Sequence, residues 1–149
     1  MKYALVTGGS RGIGRAVCVK LAEMGYHVLI NYQSNDAEAE KTLQLVREKG
    51  ADGELMKFDV AQPAVVLAAL NQWMEQHPGA TIETLINNAG IRKDNLMLWM
   101  TGEEWNRVLD ISLNGFFNVT QPLLKNMLVN RFGRIVNIVS LSGIKGMPG

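Results

Sequence analysis

The sequence contains very little cysteine. Cys18 is the single cysteine among 149 residues, so an internal disulfide is excluded and a reducing compartment is favoured. We therefore expect a cytoplasmic protein rather than a disulfide-stapled secreted domain. Cys18 falls within a predicted helix and has no histidine near it in sequence, which favours a packing role over a chemical one.

Long apolar runs and an excess of either charge are also absent. No segment approaches the roughly 18 consecutive apolar residues of a membrane span, and Lys2 is followed directly by a strand pattern rather than by a signal peptide. The net charge is +1, with no lysine–arginine block and no zinc-ligand spacing. We expect no membrane, nucleic-acid or metal partner.

The remaining composition is that of a globular domain. Hydrophobic residues make up 47% of the chain and charged residues 19%, and this length is enough for one domain with a buried core. Short apolar runs alternate with helical patterns and no repeat is visible. We predict a single domain over residues 1–149, an α/β doubly wound parallel sheet of the Rossmann-like, three-layer type.

Periodicity and end signals place the elements. Strands are predicted at 3–7, 27–32, 55–58, 84–87 and 134–139, and helices at 12–24, at 36–49, from 63, and from 101 to 133. In the first helix, the residues predicted on or beside one face are Ile13, Ala16, Val17, Lys20, Leu21 and Met24. The buried stripe of the third helix is predicted to comprise Val66, Leu67, Leu70 and Trp73. Thr101 and Glu104 form a capping-box pattern, and Pro122 is expected to kink or divide the last helix.

A glycine-rich turn joins the first strand to the first helix, with the sequence Thr7-Gly8-Gly9-Ser10-Arg11-Gly12-Ile13-Gly14. A strand, a glycine turn and a helix start can hold a dinucleotide pyrophosphate, because glycines let the backbone approach phosphates and the helix start offers free N–H groups. The spacing Gly-x-x-x-Gly-x-Gly is a variant of the commonest fingerprint. Such turns also occur as plain connections, so this one is not decisive alone.

The charges near the second strand favour a phosphorylated cofactor. This strand ends at Asn31-Tyr32-Gln33-Ser34, without the acid that NAD enzymes usually place about 20 residues beyond the fingerprint. Arg11 can instead pair with a 2′-phosphate. The pattern predicts NADP(H) rather than NAD. The alternative for Arg11 is a solvated loop charge.

The next two strand ends suit an adenine and a ribose of a dinucleotide. Asp59 and Val60 offer a carboxylate for an adenine amino group and an aliphatic surface for its ring; the alternative for Asp59 is a helix N-cap. Asn87-Asn88-Ala89-Gly90 places two amides at a buried strand end, where they need partners. A loop under a cofactor ribose would supply them, although paired asparagines also occur in ordinary turns.

The fifth strand leads through Ile138 and Val139 to Ser140. A hydroxyl at this strand end would point into the same cleft and can donate to a substrate carbonyl. A serine at a strand end is more often only a turn residue.

Together, these strand ends resemble the short-chain dehydrogenase/reductase family. The matching motifs are Thr7-Gly8-x-x-x-Gly12-x-Gly14, Asp59-Val60, Asn87-Asn88-Ala89-Gly90, and Ser140 with Gly143. Within the family, the chain is most similar to the 3-oxoacyl-[acyl-carrier-protein] reductases of bacterial type II fatty acid synthesis. That similarity is carried by Ser10-Arg11-Gly12-Ile13-Gly14-Arg15, Gly90-Ile91, Lys93-Asp94-Asn95-Leu96, Glu104-Trp105 and Gly133-Arg134-Ile135-Val136.

The resemblance implies an activity and a set of site residues. Hydride would pass from NADPH to the 3-carbonyl of an acyl chain on acyl carrier protein, with Ser140 orienting that carbonyl and a tyrosine, assisted by a lysine, protonating the alkoxide. Arg131 would help receive the acidic carrier, the alternative being a solvated helix end. A homotetramer is expected, with Trp99, Phe116, Phe117 and Met127 as candidate interface residues. The implied cofactor-binding residues are Gly8, Ser10, Arg11, Gly12, Ile13, Gly14, Asn31, Tyr32, Asp59, Val60, Asn88, Ala89, Gly90 and Ile138.

The chain departs from the family pattern in two ways. The Tyr-x-x-x-Lys that the resemblance places after the serine is not reached by Gly149, so we expect the domain to be incomplete at its C-terminus. Ser112 stands where many members carry an asparagine of a proton relay, and it is a second candidate catalytic residue. Two alternatives remain: a reductase of another ketone (an acyl-CoA, a steroid or a sugar), or a non-catalytic NADP-binding module if the protein ends at Gly149.

Overall fold

The computed structural model describes residues 1–145, apart from the side chain of Ser142. The strands are β1 (Lys2–Val6), β2 (Tyr26–Tyr32), β3 (Gly53–Lys57), β4 (Ile82–Asn87) and β5 (Arg134–Asn137). The helices are α1 (Gly12–Glu23), α2 (Asp36–Glu48), α3 (Pro63–Gln76), α4 (Gly102–Leu109) and α5 (Gly115–Val129). A π-helical turn over Asp110–Asn114 joins α4 to α5, and a 3-10 turn follows at Leu141–Gly143.

The five strands form one parallel sheet in the order β3-β2-β1-β4-β5. The chain moves outward from β1 to β3 and then returns to the other side of β1 at β4. The predicted doubly wound, Rossmann-like fold is confirmed. In such sheets the crevice that accepts ligands lies at the carboxyl ends of the strands where the order reverses, here between β1 and β4.

Each face of the sheet packs its own core, because side chains along a strand alternate between the faces. On β1, Ala4 and Val6 pack with Cys18, Leu21 and other apolar residues of α1 and α2. Leu5 points to the opposite face, where it belongs to the core that includes residues of α3 and α5. The predicted three layers are therefore present. In the described part of the chain, no helix has both the length and the apolar character to cross a bilayer.

The buried face of α1 differs from the apolar face predicted for this helix. Gly14, Cys18, Leu21 and Ala22 are the buried residues, whereas Ile13 and Met24 are exposed. The reason is the close approach of the first helical turn to the strand ends, which turns Gly14 rather than Ile13 inward. On α3 the predicted stripe holds at Val66, Leu70 and Trp73 but is wrong at Leu67, which is exposed.

The last helical region also differs from expectation. Thr101 and Glu104 form the predicted capping box at the start of α4. Pro122 does not divide the helix: α5 continues through it, because buried residues such as Val119 and Leu123 hold this helix against β4 and α3. The irregularity lies upstream, in the π-helical turn at Asp110–Asn114. Turns of this kind are frequent at functional sites.

Cys18 is fully buried against the glycine turn, with its Sγ 3.9 Å from the carbonyl oxygen of Gly9. Burial raises the pKa of its thiol to about 12. The thiolate is the reactive form of cysteine, so the structure agrees with the predicted packing role.

Candidate functional site

The glycine turn lies at the carboxyl end of β1. Gly8 and Gly12 have φ of +64° and +54°, the left-handed region that side chains disfavour. Gly14 is required for a different reason: a Cβ added there would lie 2.2 Å from the carbonyl oxygen of Gly8. The first turn of α1 is therefore in contact with the loop that precedes it, and its N–H groups face the crevice.

The side chain of Asn31, at the end of β2, forms a hydrogen bond that fixes the position of the glycine turn. It is only 2% exposed. Its Oδ1 accepts the N–H of Gly8 at 3.2 Å, and its Nδ2 donates to the carbonyls of Met56 and Phe58 at 3.1 and 3.0 Å. The amide thus joins the turn to β3. Since these atoms already have protein partners, Asn31 acts on a bound cofactor chiefly by fixing the turn.

We predict that Asn31→Leu destabilises the protein by about 3 kcal/mol or more, because it leaves one buried N–H and two carbonyls unpaired at about 1–3 kcal/mol each. Urea unfolding measures this loss. Asn71→Leu, at an exposed position on α3, is the matched control and should change stability by under about 0.5 kcal/mol. An equal, small effect of both substitutions would contradict the role of Asn31.

Thr7 and Asn88 tie the end of β1 to the end of β4. The Thr7 hydroxyl oxygen accepts the N–H groups of Asn88 and Ala89 at 2.9 and 3.0 Å. In return, Nδ2 of Asn88 donates to the carbonyls of Thr7 and Gly8 at 2.9 and 3.2 Å. The half-buried Asn88 amide therefore has the partners that its position at a strand end requires. The sequence predictions give Thr7 no role, although it opens the fingerprint.

A cavity of about 430 Å³ opens above this turn. Its lining includes twelve of the fourteen residues predicted to bind a cofactor: Gly8, Ser10, Arg11, Ile13, Gly14, Asn31, Tyr32, Asp59, Val60, Asn88, Ala89 and Gly90. Gly12 lies in the turn without lining the cavity, and Ile138 lines the neighbouring one. Gln33, Ser34 and Asn35, which sequence reasoning did not assign, also line it.

The carboxylate of Asp59 accepts three hydrogen bonds from the protein, which leaves one acceptor position for a ligand. Its Oδ2 accepts from Gln33 and from Arg107 of α4, each at 2.9 Å, and its Oδ1 accepts the N–H of Ala61 at 2.9 Å. A carboxylate has about four acceptor positions, so one on Oδ1 remains for a ligand donor. The alternative of a helix N-cap is wrong, because Gln62 occupies that position of α3. Arg107 was not identifiable from sequence, since it lies 48 residues from Asp59.

Asp36, the first acidic residue after β2, is paired with a cation and a hydroxyl group of the protein. Tyr32 donates its hydroxyl to Asp36 at 2.9 Å, and Lys57 pairs with the same carboxylate at 2.8 Å. Hydrogen bonds from Lys57 and Tyr32 lower the pKa of Asp36, while desolvation and the bond to Asp36 raise the pKa of Tyr32. Arg11 lies exposed at the same cavity. The first acid after β2 is thus paired within the protein.

A second cavity of about 520 Å³ adjoins the first, and the two share Val60, Asn88, Ala89, Gly90, Ile91 and Ile111. Ser140 and Ser112, the two predicted catalytic residues, both line it. Ser112 lies in the π-helical turn, and its Oγ would be 4.0 Å from a Cβ added at Gly90. Hydroxyl groups and an apolar wall that includes Leu113 and Phe116 therefore meet beside the glycine-turn cavity.

Arg131 lies at the end of α5 in an unusual conformation. Its φ is +52°. Its N–H donates to the carbonyl of Leu128 at 3.1 Å, and the N–H of Phe132 donates to the carbonyl of Met127 at 3.1 Å. These are the two bonds of a Schellman motif, in which glycine usually holds the left-handed position. An exposed arginine therefore occupies a position where glycine has no steric penalty.

Comparison with known families agrees with this geometry. A profile of the family described as short chain dehydrogenase matches residues 2–149. The match thus includes the glycine turn and the ends of all five strands.

Curated relatives are similar over nearly the whole chain. The 3-oxoacyl-[acyl-carrier-protein] reductases of Staphylococcus epidermidis and Staphylococcus aureus are 40% identical over 148 residues, 99% of this chain. The acetoacetyl-CoA reductase of Rhizobium meliloti is 43% identical over 148 residues. The chain spans about three fifths of these proteins, namely 60%, 59% and 58% of their lengths.

A solved structure has the same fold. It is that of a proposed gluconate dehydrogenase from Agrobacterium tumefaciens, with a TM-score of 0.92 and 35% sequence identity. The alignment covers 99% of this chain and 57% of the other.

Proposed function

This chain belongs to the short-chain dehydrogenase family, and from that premise we propose that its protein is an NADPH-dependent 3-oxoacyl-[acyl-carrier-protein] reductase. The observation that carries the proposal is the pair of adjoining cavities, one lined by the glycine turn and Asp59, the other by Ser112 and Ser140. One can hold a dinucleotide and the other a carbonyl compound beside it.

For the cofactor we propose NADP(H). The predicted residues of the first cavity suit its parts: the glycine turn for the pyrophosphate, Asp59 and Val60 for the adenine, and Arg11 for a 2′-phosphate. The pairing of Asp36 with Lys57 and Tyr32 supports this choice, because it removes an uncompensated acid from the end of β2. When bound, the cofactor supplies the hydride.

The chain's own residues would orient the substrate. We assign to Ser140 the donation of a hydrogen bond to the carbonyl oxygen, where negative charge develops during reduction. We assign to Ser112 a place beside that oxygen in a proton relay, in which the irregular backbone of the π-helical turn can also take part. The resemblance assigns the proton itself to a tyrosine of a Tyr-x-x-x-Lys motif, and residues 1–149 contain no such motif.

A coenzyme A thioester is the second candidate substrate. The acetoacetyl-CoA reductase of Rhizobium meliloti is as similar to this chain as the carrier-protein reductases are. The two substrates share the reacting 3-oxoacyl group and differ in the size and charge of the carrier. The cavity would hold the 3-oxoacyl group that both substrates share. An exposed cation such as Arg131 therefore discriminates between the two substrates better than the cavity does.

We predict that Arg131→Gly raises KM for a 3-oxoacyl-carrier-protein about threefold to tenfold and leaves KM for the CoA thioester unchanged, because Arg131 lines neither cavity and a surface charge there acts mainly on association with an acidic protein. Glycine also suits the left-handed position, so the thermal midpoint should not fall. Steady-state kinetics of NADPH oxidation with both substrates measure the difference.

Lys20→Gln is the control for that experiment, since it removes one exposed cation from α1, where Lys20 pairs with Glu23 at 3.0 Å. It should leave both KM values unchanged. An Arg131→Gly variant with equal effects on the two substrates would exclude carrier docking at this helix end. Absence of NADPH oxidation with every ketone in the unsubstituted full-length protein would instead favour the non-catalytic binding module.

For the assembly we propose a homotetramer. Trp99 and Phe117 are 65% and 62% exposed, and Phe116 is also exposed, so three large aromatic side chains of the predicted interface are accessible to a second copy of the chain. Met127 was predicted to belong to this surface, but it is buried at 5% exposure in the core. Light scattering of the full-length protein measures the state.

A further inference from the structure

Arg15, on the first turn of α1, lies beneath the glycine turn and joins it to α2. Its Nη2 donates to the carbonyl of Ser10 at 2.5 Å and to the carbonyl of Glu38 at 3.0 Å, and it pairs with the Glu38 carboxylate at 2.5 Å. About a quarter of each of the Arg15 and Glu38 side chains is exposed. The guanidinium group therefore connects the glycine turn, which lines the first cavity, to α2, whose N-cap residue Asn35 lines it.

Thr42 completes this network. Its side chain is fully buried. Its hydroxyl oxygen accepts from Nε of Arg15 at 2.9 Å and lies 3.0 Å from the carbonyl of Ser10. The carbonyl of Ser10 thus accepts from the guanidinium of Arg15 and lies closer to the Thr42 hydroxyl than the second possible acceptor, the carbonyl of Glu38 at 3.2 Å. A backbone carbonyl held by a guanidinium and a buried hydroxyl is fixed more firmly than a loop carbonyl facing water.

The fixed carbonyl determines how the next residue is presented. No peptide bond in the described chain is cis, and in a trans peptide the C=O and the following N–H point in opposite directions. Because the Ser10 carbonyl points toward α2, the N–H of Arg11 points away from α2. Ser10 and Arg11 both line the first cavity. Arg15 therefore controls the orientation of the segment that we assign to a 2′-phosphate.

Arg15 also compensates an acid next to that segment. Glu38 is in the first turn of α2, directly after the cavity-lining residues Ser34 and Asn35, and Asn35 caps its N–H at 3.1 Å. Hydrogen bonds from Lys41 and Arg15 lower the pKa of Glu38 to about 2, so this carboxylate is ionised at neutral pH. Loss of the Arg15 guanidinium would leave Glu38 with Lys41 alone, and the less fully compensated carboxylate would repel a phosphate group held by Arg11.

We propose that Arg15 is a positioning residue that makes this site selective for a dinucleotide bearing a 2′-phosphate. It acts in two ways: it fixes the Ser10–Arg11 peptide, and it shares with Lys41 the compensation of the Glu38 carboxylate. The inference rests on the dinucleotide binding proposed above. It goes beyond that proposal in assigning selectivity to a side chain that lines neither cavity.

The test is the ratio of NADPH to NADH affinity in the full-length protein, measured by fluorescence titration. In Arg15→Met, the dissociation constant of NADPH should rise roughly tenfold more than that of NADH, which corresponds to about 1.4 kcal/mol. Both dinucleotides carry the pyrophosphate, so a merely structural defect would weaken both equally. The ratio separates the two explanations.

Matched variants test the two parts of the mechanism. Lys41→Met removes the other cation that pairs with Glu38 but leaves the Ser10 carbonyl untouched, and the ratio should change less than threefold. Arg15→Met combined with Glu38→Gln should recover part of the NADPH preference, since the repelling charge is gone. If Arg15→Met does not fold, Arg15→Lys retains a cation but not the forked donor set, and it should give an intermediate ratio.

The outcomes of these titrations distinguish the selectivity role of Arg15 from the choice of NADP(H) and from dinucleotide binding itself. Equal losses of NADPH and NADH affinity in the Arg15 variants would overturn the selectivity role while leaving dinucleotide binding intact. An unsubstituted protein that binds NADH as tightly as NADPH would overturn the inference and the choice of NADP(H) together. An unsubstituted protein that binds neither would overturn the proposed function itself.

Discussion

Replacing Gly14 with alanine is expected to raise the dissociation constant of NADPH at least 100-fold and to destabilise the fold by about 3 kcal/mol or more. The added Cβ would lie 2.2 Å from the carbonyl oxygen of Gly8 and 2.6 Å from Nδ2 of Asn88. Neither atom can move freely, because Asn88 donates to the carbonyls of Thr7 and Gly8. Overpacking against fixed backbone costs typically 1–3 kcal/mol and occasionally more.

Two other glycines provide controls for this substitution. Gly102, at the start of α4, has open space where its Cβ would be, so Gly102→Ala should be neutral or slightly stabilising. Gly12 also has open space but a φ of +54°, so Gly12→Ala should cost roughly 1–2 kcal/mol from backbone strain alone. Thermal unfolding and NADPH titration measure all three. Equal effects of Gly14→Ala and Gly12→Ala would show that close contact is not what requires Gly14.

Replacing Ser140 with alanine is expected to lower kcat by about 10²–10³-fold, the loss typical when one donor to a developing oxyanion is removed. The affinity for NADPH should stay within about twofold of the unsubstituted value, because Ser140 lines the second cavity and not the one above the glycine turn. Stopped-flow reduction of a 3-oxoacyl substrate gives the rate, and fluorescence titration gives the affinity.

Ser140→Thr is the matched variant for this prediction. It retains a hydroxyl group at the same position, so it should recover part of the rate that alanine loses. A common loss of kcat and NADPH affinity in Ser140→Ala would indicate a structural role for Ser140. Full activity of the alanine variant would remove Ser140 from the reaction altogether.

Local sequence patterns were sufficient to predict much of the fold. The sheet-forming runs are apolar enough to be recognised as buried strands, and the capping box at Thr101 and Glu104 depends only on residues three apart. The elements were therefore predictable, although most of their ends shifted by one or two residues and the last helix ends at Val129 rather than near Gly133. The buried face of α1 was not predictable, because the close contact between Gly14 and Gly8 outweighs the apolar periodicity that favoured Ile13.

The candidate site was predictable in its positions but not in its partners. The fingerprint and the strand-end rule place Gly8, Asp59, Asn88 and Ser140 at one edge of a parallel sheet, and these residues line the two cavities. Sequence could not indicate that Arg107 binds Asp59 or that Arg15 binds Glu38. Those contacts depend on how α4 and α2 dock against the sheet.

The sequence by itself determined the class of fold, the strand ends that carry polar residues and the family to which the chain belongs. Each follows from short-range patterns: apolar periodicity, glycine spacing and the order of motifs. The tertiary structure alone decided that the Asn31 amide bonds to β3 and to the glycine turn, and that Ser112 and Ser140 share one cavity. Such juxtapositions arise because a parallel sheet brings together the ends of strands that are far apart in the chain, with an order that the packing of helices on both faces fixes.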